Sequence, residues 1–235
     1  MIAYIVAFVA VAALGMVAAH MAARISRRAA AISFAVAVSS LGVAAWVGVA
    51  PGSAWVLATS VALLVGGSSL GALVGARIDS PGHLLPVVVV SSLVDLASVL
   101  HPAGPSANLV ESPRALALLA VWFPLLDAGR LAPILGVGDI VFAALYVAAI
   151  RRHGLSLVRV TVAAIGGLLV TMVLVILTAM PLPALPLLGI AVVLAIPEAR
   201  RIPAADRRNA WLVMVALAVI VAALLVHRCY ASTSP

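Results

Sequence analysis

The sequence predicts an all-α protein, a polytopic transmembrane helical bundle of about eight spans. Apolar residues make up 66% of the 235 residues and charged residues 9%, whereas a soluble domain carries about 25% charged residues. The apolar runs have the length of a membrane-spanning helix, about 17–25 residues, and lack the strict alternation of an outer-membrane barrel. The basic residues, all of them arginine, stand mainly in the short connections between these runs.

Charged residues, prolines and glycines divide the chain into eight candidate spans. We predict these spans at residues 2–22, 29–50, 54–76, 84–100, 131–150, 156–179, 182–197 and 210–227. The apolar stretch 114–126 is too short to cross a bilayer and is predicted to be an interfacial or re-entrant helix. The chain then consists of a three-span scaffold (1–83), a central group of helices (84–197), and a basic loop with a last span (198–235).

The arginines support this number of spans and give an orientation. With eight crossings, eleven arginines fall on one side of the membrane and three on the other. The eleven are Arg24, Arg27, Arg28, Arg77, Arg151, Arg152, Arg159, Arg200, Arg201, Arg207 and Arg208, and the three are Arg114, Arg130 and Arg228. Because basic residues accumulate in cytoplasmic loops, we expect an integral protein of a prokaryotic plasma membrane with both termini outside the cytoplasm. The net charge of +7 then reflects contact with anionic headgroups of the lipid bilayer, and no nucleic-acid partner is expected.

Two acidic residues, Asp95 and Asp139, lie inside apolar spans. A charged side chain at the bilayer centre costs about 2.5–3.5 kcal/mol on insertion scales, so such residues usually have a function. The predicted topology places the two acids on adjacent antiparallel helices at similar depth. Carboxyl groups that face each other share a proton, so that one acts as a base toward water and the other as an acid toward a carbonyl oxygen. This is the chemistry of an aspartic protease, and we predict these two residues to be catalytic.

The neighbours of each acid are small or polar. On the helix of Asp95, one face carries hydroxyl groups and is predicted to line a water-accessible seam. These hydroxyls belong to Ser91, Ser92 and Ser98. Beside Asp139, the backbone at Gly136 and Gly138 is nearly bare, which leaves room for a water molecule or an extended peptide.

The segment around Asp139 resembles a known motif. Residues 136–139 (Gly-Val-Gly-Asp) are similar to the GxGD motif of the presenilin and signal peptide peptidase family of intramembrane aspartyl proteases. Residues 182–186 (Leu-Pro-Ala-Leu-Pro) resemble the PAL motif of that family, including its flanking prolines, and Asp95 stands where the family has its first catalytic aspartate. The similarity extends over about 84–197, in the motif order of the family.

The resemblance implies an endopeptidase that hydrolyses transmembrane or signal-peptide helices, with a presenilin-like catalytic half and no metal or other cofactor. Asp95 and Asp139 would be the catalytic pair, and Pro183, Ala184 and Leu185 would shape the site and position substrate. The deduced orientation is similar to that of signal peptide peptidase, which implies substrates whose N-terminus is cytoplasmic. The chain departs from the family in having Val94 where tyrosine is common, three spans before the first acid, and one span after the PAL-like segment.

Two other functions use the same residues. A proton-coupled transporter also employs intramembrane carboxylates and broken helices, although the two halves of the chain show no convincing repeat. A prepilin-peptidase-like protease also has a GxGD motif, but works at the cytoplasmic face and lacks the PAL-like element. Asp127, in the loop before Arg130, is expected to form a loop ion pair. Assembly into a homo-oligomer is left open.

Overall fold

The structure of this chain is a computed structural model that describes residues 2–101, 104–106, 111–125 and 129–231, without the side chains of 225–231. Within this part, the predicted all-α helical bundle is confirmed. In chain order the helices are α1 Ile2–Ala22, α2 Arg27–Val47, α3 Trp55–Gly75, α4 Leu84–Leu100, α5 Pro113–Leu119, α6 Val137–Arg152, α7 Leu157–Thr178, α8 Leu185–Ala195 and α9 Arg207–Ala231. Short 3₁₀ turns occur at Pro81–His83 and Pro197–Arg200.

Six helices of the described part are long and apolar enough to cross a membrane. They are α1, α2, α3, α4 with the turn before it, α7, and α9 as far as Leu224. The helices α6 and α8 contain 16 and 11 residues, fewer than the roughly 20 that a span needs. The chain is therefore compatible with an integral membrane protein, while the number of eight spans stays a prediction.

Two predicted helical segments are partly strand, and here the prediction was wrong. Residues 131–136 form strand β2 (Leu131–Gly136), so that the helix of the fifth predicted span begins only at Val137. The predicted interfacial helix 114–126 ends at Leu119 and continues as strand β1 (Ala120–Pro124). The two strands pair antiparallel as a hairpin. Pro133 removes a helix donor in β2, and the run Val-Trp-Phe in β1 has high strand propensity, so pairing outweighs the apolar helical pattern.

The hairpin is fastened to the beginning of α3. A register shift in β1 lies between Val121 and Trp122, and the backbone N–H of Trp122 donates to the Ser60 hydroxyl at 2.8 Å. The neighbouring Thr59 hydroxyl donates to the carbonyl of Ala117 at 3.1 Å. These bonds matter because a buried N–H without an acceptor costs about 1–3 kcal/mol. They fix β1, which pairs with the strand that leads into α6.

The helix α6 is the centre of the bundle. Its side chains from Tyr146 to Ile150 are almost fully buried, and it packs against α1, α3, α7 and α8. The contact with α3 is the most extensive and is made by glycines at every fourth position: Gly67, Gly71 and Gly75. Small residues at this spacing allow two helix backbones to approach closely in lipid. A glycine face on α3 thus sets the position of α6.

Candidate functional site

Asp95 is held by the first residue of α8. Its Oδ2 accepts a hydrogen bond from the backbone N–H of Leu185 at 2.9 Å, and the adjacent N–H of Ala184 also interacts with this carboxyl group. The first N–H groups of a helix have no acceptor within the helix. The Asp95 side chain on α4 thus supplies an acceptor for the beginning of α8. This bond orients the half-buried carboxyl group of Asp95.

The PAL-like segment produces this contact because its prolines interrupt the chain. Helix α7 ends at Thr178, and Ala179 follows with a left-handed φ of 52°. Prolines disfavour helical conformation in the residue before them, and residues 179–184 accordingly connect α7 and α8 without regular structure. The predicted span 182–197 therefore becomes helical only at Leu185. Pro183 and Ala184 are half-buried, and the Leu185 side chain is 7% exposed.

Asp139 is the third residue of α6 and lies where the hairpin ends. Its Oδ2 accepts the backbone N–H of Gly136, the last residue of β2, at 3.3 Å. A carboxylate in this position satisfies a donor at the strand-to-helix junction and is favoured by the helix dipole. The bond orients the half-buried Asp139 side chain next to the hairpin.

The backbone beside Asp139 is open at Gly138. No heavy atom lies within 4 Å of the place that a Cβ on Gly138 would occupy, whereas a Cβ on Gly136 would lie 3.4 Å from Oδ2 of Asp139. Space for a substrate or water, expected from the sequence, is therefore present at Gly138. Gly136 is closed in by the carboxyl group itself.

Both carboxyl groups lie beside the beginning of α8: Asp95 accepts the N–H of Leu185, and Asp139 lines a cavity together with Ala184. Their helices, however, are not directly packed neighbours as the topology led us to predict. Helix α4 packs mainly against α8 and α9, and α6 mainly against α3 and α1. Helix α8 connects the two, because Gly189 packs tightly against Val88 of α4 and α8 also contacts α6. Both aspartates thus lie beside the PAL-like segment.

Two cavities adjoin the acids and this segment. A cavity of about 550 Å³ lies between α4 and α6 and is lined by Asp95, Phe142 and Leu185 among others. A second cavity, of about 290 Å³, lies between α1, α7 and β2 and is lined by Asp139 and Ala184 among others. Both are mainly apolar. An apolar cleft with a few convergent polar groups is the usual form of a binding site.

The predicted polar seam is only partly present. Ser91 and Ser98 line the same cavity as Asp95, whereas Ser92 is not part of its lining. The Ser91 hydroxyl donates to the carbonyl of Val88 at 3.1 Å, and the Ser98 hydroxyl lies 2.7 Å from that of Ser106. The serines therefore satisfy backbone and loop groups as well as lining the cavity.

Several lining residues were not singled out from the sequence, among them Phe142 and Thr171. Phe142 follows Asp139 by one helical turn, so the spacing could have placed it on the same face. Thr171 lines the cavity of Asp139, and its hydroxyl donates to the carbonyl of Gly167 at 3.0 Å. As a single hydroxyl in an apolar run, it shows no sequence pattern that indicates a site residue. The expected ion pair of Asp127 lies outside the described residues.

The site is therefore built from three separate parts of the chain, namely α4, the β2–α6 junction and the beginning of α8. Each acid is oriented by a backbone N–H group, and open space lies next to both. Comparison with known proteins found no matching family model, no matching curated protein and no matching solved structure.

Proposed function

We propose that this chain is an intramembrane aspartic endopeptidase that hydrolyses peptide bonds of membrane-spanning helices. The observation that carries the proposal is that both acids lie beside the beginning of α8, where Asp95 accepts the N–H of Leu185 and Asp139 lines a cavity together with Ala184. Acids inside apolar helices are rare unless they have a function. Two of them brought together beside open, mainly apolar cavities form the acid–base pair that peptide hydrolysis needs.

In the proposed reaction the pair holds one proton and a water molecule. The ionised carboxylate removes a proton from the water as its oxygen attacks the scissile carbonyl carbon, and the protonated carboxyl donates its proton to the carbonyl oxygen. The resulting tetrahedral diol then breaks its carbon–nitrogen bond. The carboxyl that took the proton from water gives it to the departing nitrogen, and a hydroxyl of the diol returns a proton to the other carboxylate, which yields an acid and an amine and restores the pair. The N–H groups of Leu185 and Gly136 hold the two side chains in place for these transfers.

A substrate helix must unwind before its backbone can reach the pair, because an intact helix uses its carbonyl groups in its own hydrogen bonds. The PAL-like segment, which the resemblance implies positions substrate, is one candidate for pairing with the unwound strand. The N–H of Leu185 is already bonded to Asp95, so that donor is occupied. Strand β2 is a better partner: within the described residues it pairs with β1 alone, and its residues Pro133 to Leu135 line the cavity of Asp139. An extended peptide lying there would add a strand to the hairpin.

A proton-coupled transporter is the second candidate, supported by one specific observation. A short helix that begins inside a broken segment and meets an acid, as α8 meets Asp95, is also a feature of transporter sites. In sealed vesicles a transporter would move protons and leave peptides intact. The protease would cleave peptides without a proton flux, so the two measurements separate the candidates.

The proposal is tested by incubating the purified protein in lipid vesicles with single-span peptides and identifying the fragments by mass spectrometry. We expect cleavage within the apolar segment of the peptide, at the depth of the acids. From the arginine distribution, peptides whose N-terminus is on the cytoplasmic side should be preferred. A soluble peptide with the same scissile sequence but no apolar flanks serves as the control and should be cleaved poorly. Failure to cleave any single-span peptide in either orientation would contradict the proposal.

Filling the open space at Gly138 should block cleavage. In Gly138→Leu the side chain would enter the free volume beside Asp139 without meeting a protein atom at its Cβ, and it would exclude the substrate backbone. We expect the cleavage rate to fall by at least about 10-fold, since misplacement of a substrate by 1 Å can reduce rates about 100-fold. The unfolding temperature should stay within about 2 °C of the wild type, because surface changes alter stability little. The control is Gly166→Leu, on an open face of α7, which should leave the cleavage rate unchanged. Gly129, in the loop before β2, is unsuitable as a control, because its left-handed φ of 58° would be strained by any side chain.

A further inference from the structure

We propose that a cationic cavity at the opposite end of the bundle binds the phosphate group of an anionic phospholipid. The cavity, of about 240 Å³, lies where α1, α3 and α6 end and α2 begins. Three arginines line it, Arg27, Arg151 and Arg152. Helix ends in a membrane bundle lie at the level of the lipid headgroups, so an anionic headgroup is the nearest partner of opposite charge.

The positive charge of the cavity is only partly balanced within the protein. Arg152 pairs with Asp79 at 3.0 Å and also donates to the carbonyl of Ala76. Arg27 donates to the same carbonyl at 3.3 Å. Within the described part of the chain, the guanidinium of Arg151 makes no hydrogen bond or ion pair. Three cations therefore face one carboxylate, and the unpaired donors of Arg151 are free to bind an anion.

The position of Arg27 adds to this imbalance. It is the first residue of α2, and no acidic residue lies in the first turn of that helix. A cation at the N-terminal end of a helix is unfavourable, because this end already carries a partial positive charge. A phosphate between Arg27 and Arg151 would neutralise part of the positive charge of the cavity and offset the unfavourable position of Arg27. Guanidinium groups bind phosphate oxygens in pairs through charge-assisted hydrogen bonds.

The walls of the cavity favour a lipid over a free anion. Besides the arginines they consist mainly of alanine and larger apolar side chains, and Ile25 at the edge is 43% exposed. Met21 near the end of α1 and Ile32 in the second turn of α2 are each 64% exposed. An acyl chain could lie along this apolar surface while its phosphate occupies the cavity. Helix α2 has only two buried residues, Ala30 and Ala37, so a lipid bound at its beginning would strengthen its attachment to the bundle.

The test measures thermal unfolding of the purified protein in neutral detergent with three additives at equal concentration: dioctanoyl phosphatidylglycerol, dioctanoyl phosphatidylcholine and inorganic phosphate. We expect the phosphatidylglycerol to raise the unfolding temperature by about 5 °C at about 100 times its dissociation constant. The other two additives should have no comparable effect. An equal rise with phosphatidylcholine would overturn the proposal, and an equal rise with inorganic phosphate would show a free-anion site in its place.

Variants locate the binding. Arg151→Gln should unfold at the wild-type temperature without lipid, because its guanidinium has no partner to lose, and should bind phosphatidylglycerol about 10-fold more weakly, as expected for one charge-assisted bond. Arg27→Gln should weaken binding similarly. The matched control is Arg159→Gln, an exposed arginine in the first turn of α7 that does not line the cavity; its response should equal the wild type. Native mass spectrometry counts bound lipid independently, and unchanged binding in both cavity variants would overturn the proposal.

Discussion

Replacing Asp139 with asparagine is expected to abolish cleavage of single-span peptides while leaving the fold intact. Asparagine has nearly the same volume, and its carbonyl oxygen can still accept the N–H of Gly136, which lies 3.3 Å from the carboxyl oxygen in the present structure. It can neither take up nor release a proton in the reaction. Proton transfer by a positioned side chain contributes about 10²–10⁴-fold to a rate, so we expect a loss of at least about 10³-fold in initial rate.

A second acid far from the site provides the control. Asp206 lies at the opposite end of the bundle, where its carboxylate pairs with His83 at 3.0 Å. Asp206→Asn makes the same chemical change as Asp139→Asn and should retain the wild-type cleavage rate. If Asp139→Asn folds normally and keeps more than about a tenth of the wild-type rate, far above the loss that removing a proton-transfer group should cause, Asp139 has no catalytic role.

At Asp95 two substitutions separate chemistry from structure. Asp95→Asn keeps an acceptor for the N–H of Leu185 and should lose cleavage without losing stability. Asp95→Ala removes that acceptor and leaves a partly buried N–H unpaired. Its free energy of unfolding should therefore be lower than that of Asp95→Asn by about 1–3 kcal/mol. Equal stability of the two variants would indicate that this hydrogen bond contributes nothing to the fold.

The largest expected effect on stability is that of Gly71→Val in α3. A Cβ at Gly71 would overlap the carbonyl oxygen of Val141 and lie 2.8 Å from the Cβ of Ala144, so α3 and α6 would have to separate. Overpacking of a tight contact costs about 1–3 kcal/mol and occasionally more; we expect about 3 kcal/mol in reversible unfolding with denaturing detergent. Because α6 carries Asp139, cleavage should decrease as well.

The matched control is Gly166→Val in α7, where no heavy atom lies within 4 Å of the added Cβ. Both changes place the same β-branched residue in a helix, so their intrinsic helix propensities cancel in the comparison. The difference between the two variants therefore measures the contact between α3 and α6 alone. Equal unfolding midpoints would show that this contact does not hold α6 in place.

The sequence predicts a similar depth for Asp95, Asp139 and the PAL-like segment, since span length and rise per residue fix the depth of a side chain. The structure places both acids beside the beginning of α8. The helix packing that brings them there could not be predicted. Span lengths do not specify which helices are neighbours, whereas in the structure Gly189 packs against Val88 and brings α4 to α8, and glycines on α3 hold α6. Such contacts depend on which faces of two helices meet, and an apolar run does not specify a face.

The hairpin was missed for a different reason. Residues 131–136 are as apolar as a helical span, and apolar length alone does not distinguish a buried strand from a buried helix. The decisive features are local: Pro133 removes a helix donor, and Ser60 receives the N–H of Trp122 at the irregular position of β1. The second of these is a contact across 62 residues of chain, which no local pattern could reveal.

In the proposed peptide hydrolysis, Asp95 and Asp139 act as one unit. The most direct test compares initial cleavage rates of the wild type, Asp95→Asn, Asp139→Asn and the double variant on the same single-span peptide. Groups that act jointly are strongly non-additive, so the double variant should be no slower than either single variant. Losses that multiply, or a single variant that cleaves at the wild-type rate, would contradict the account.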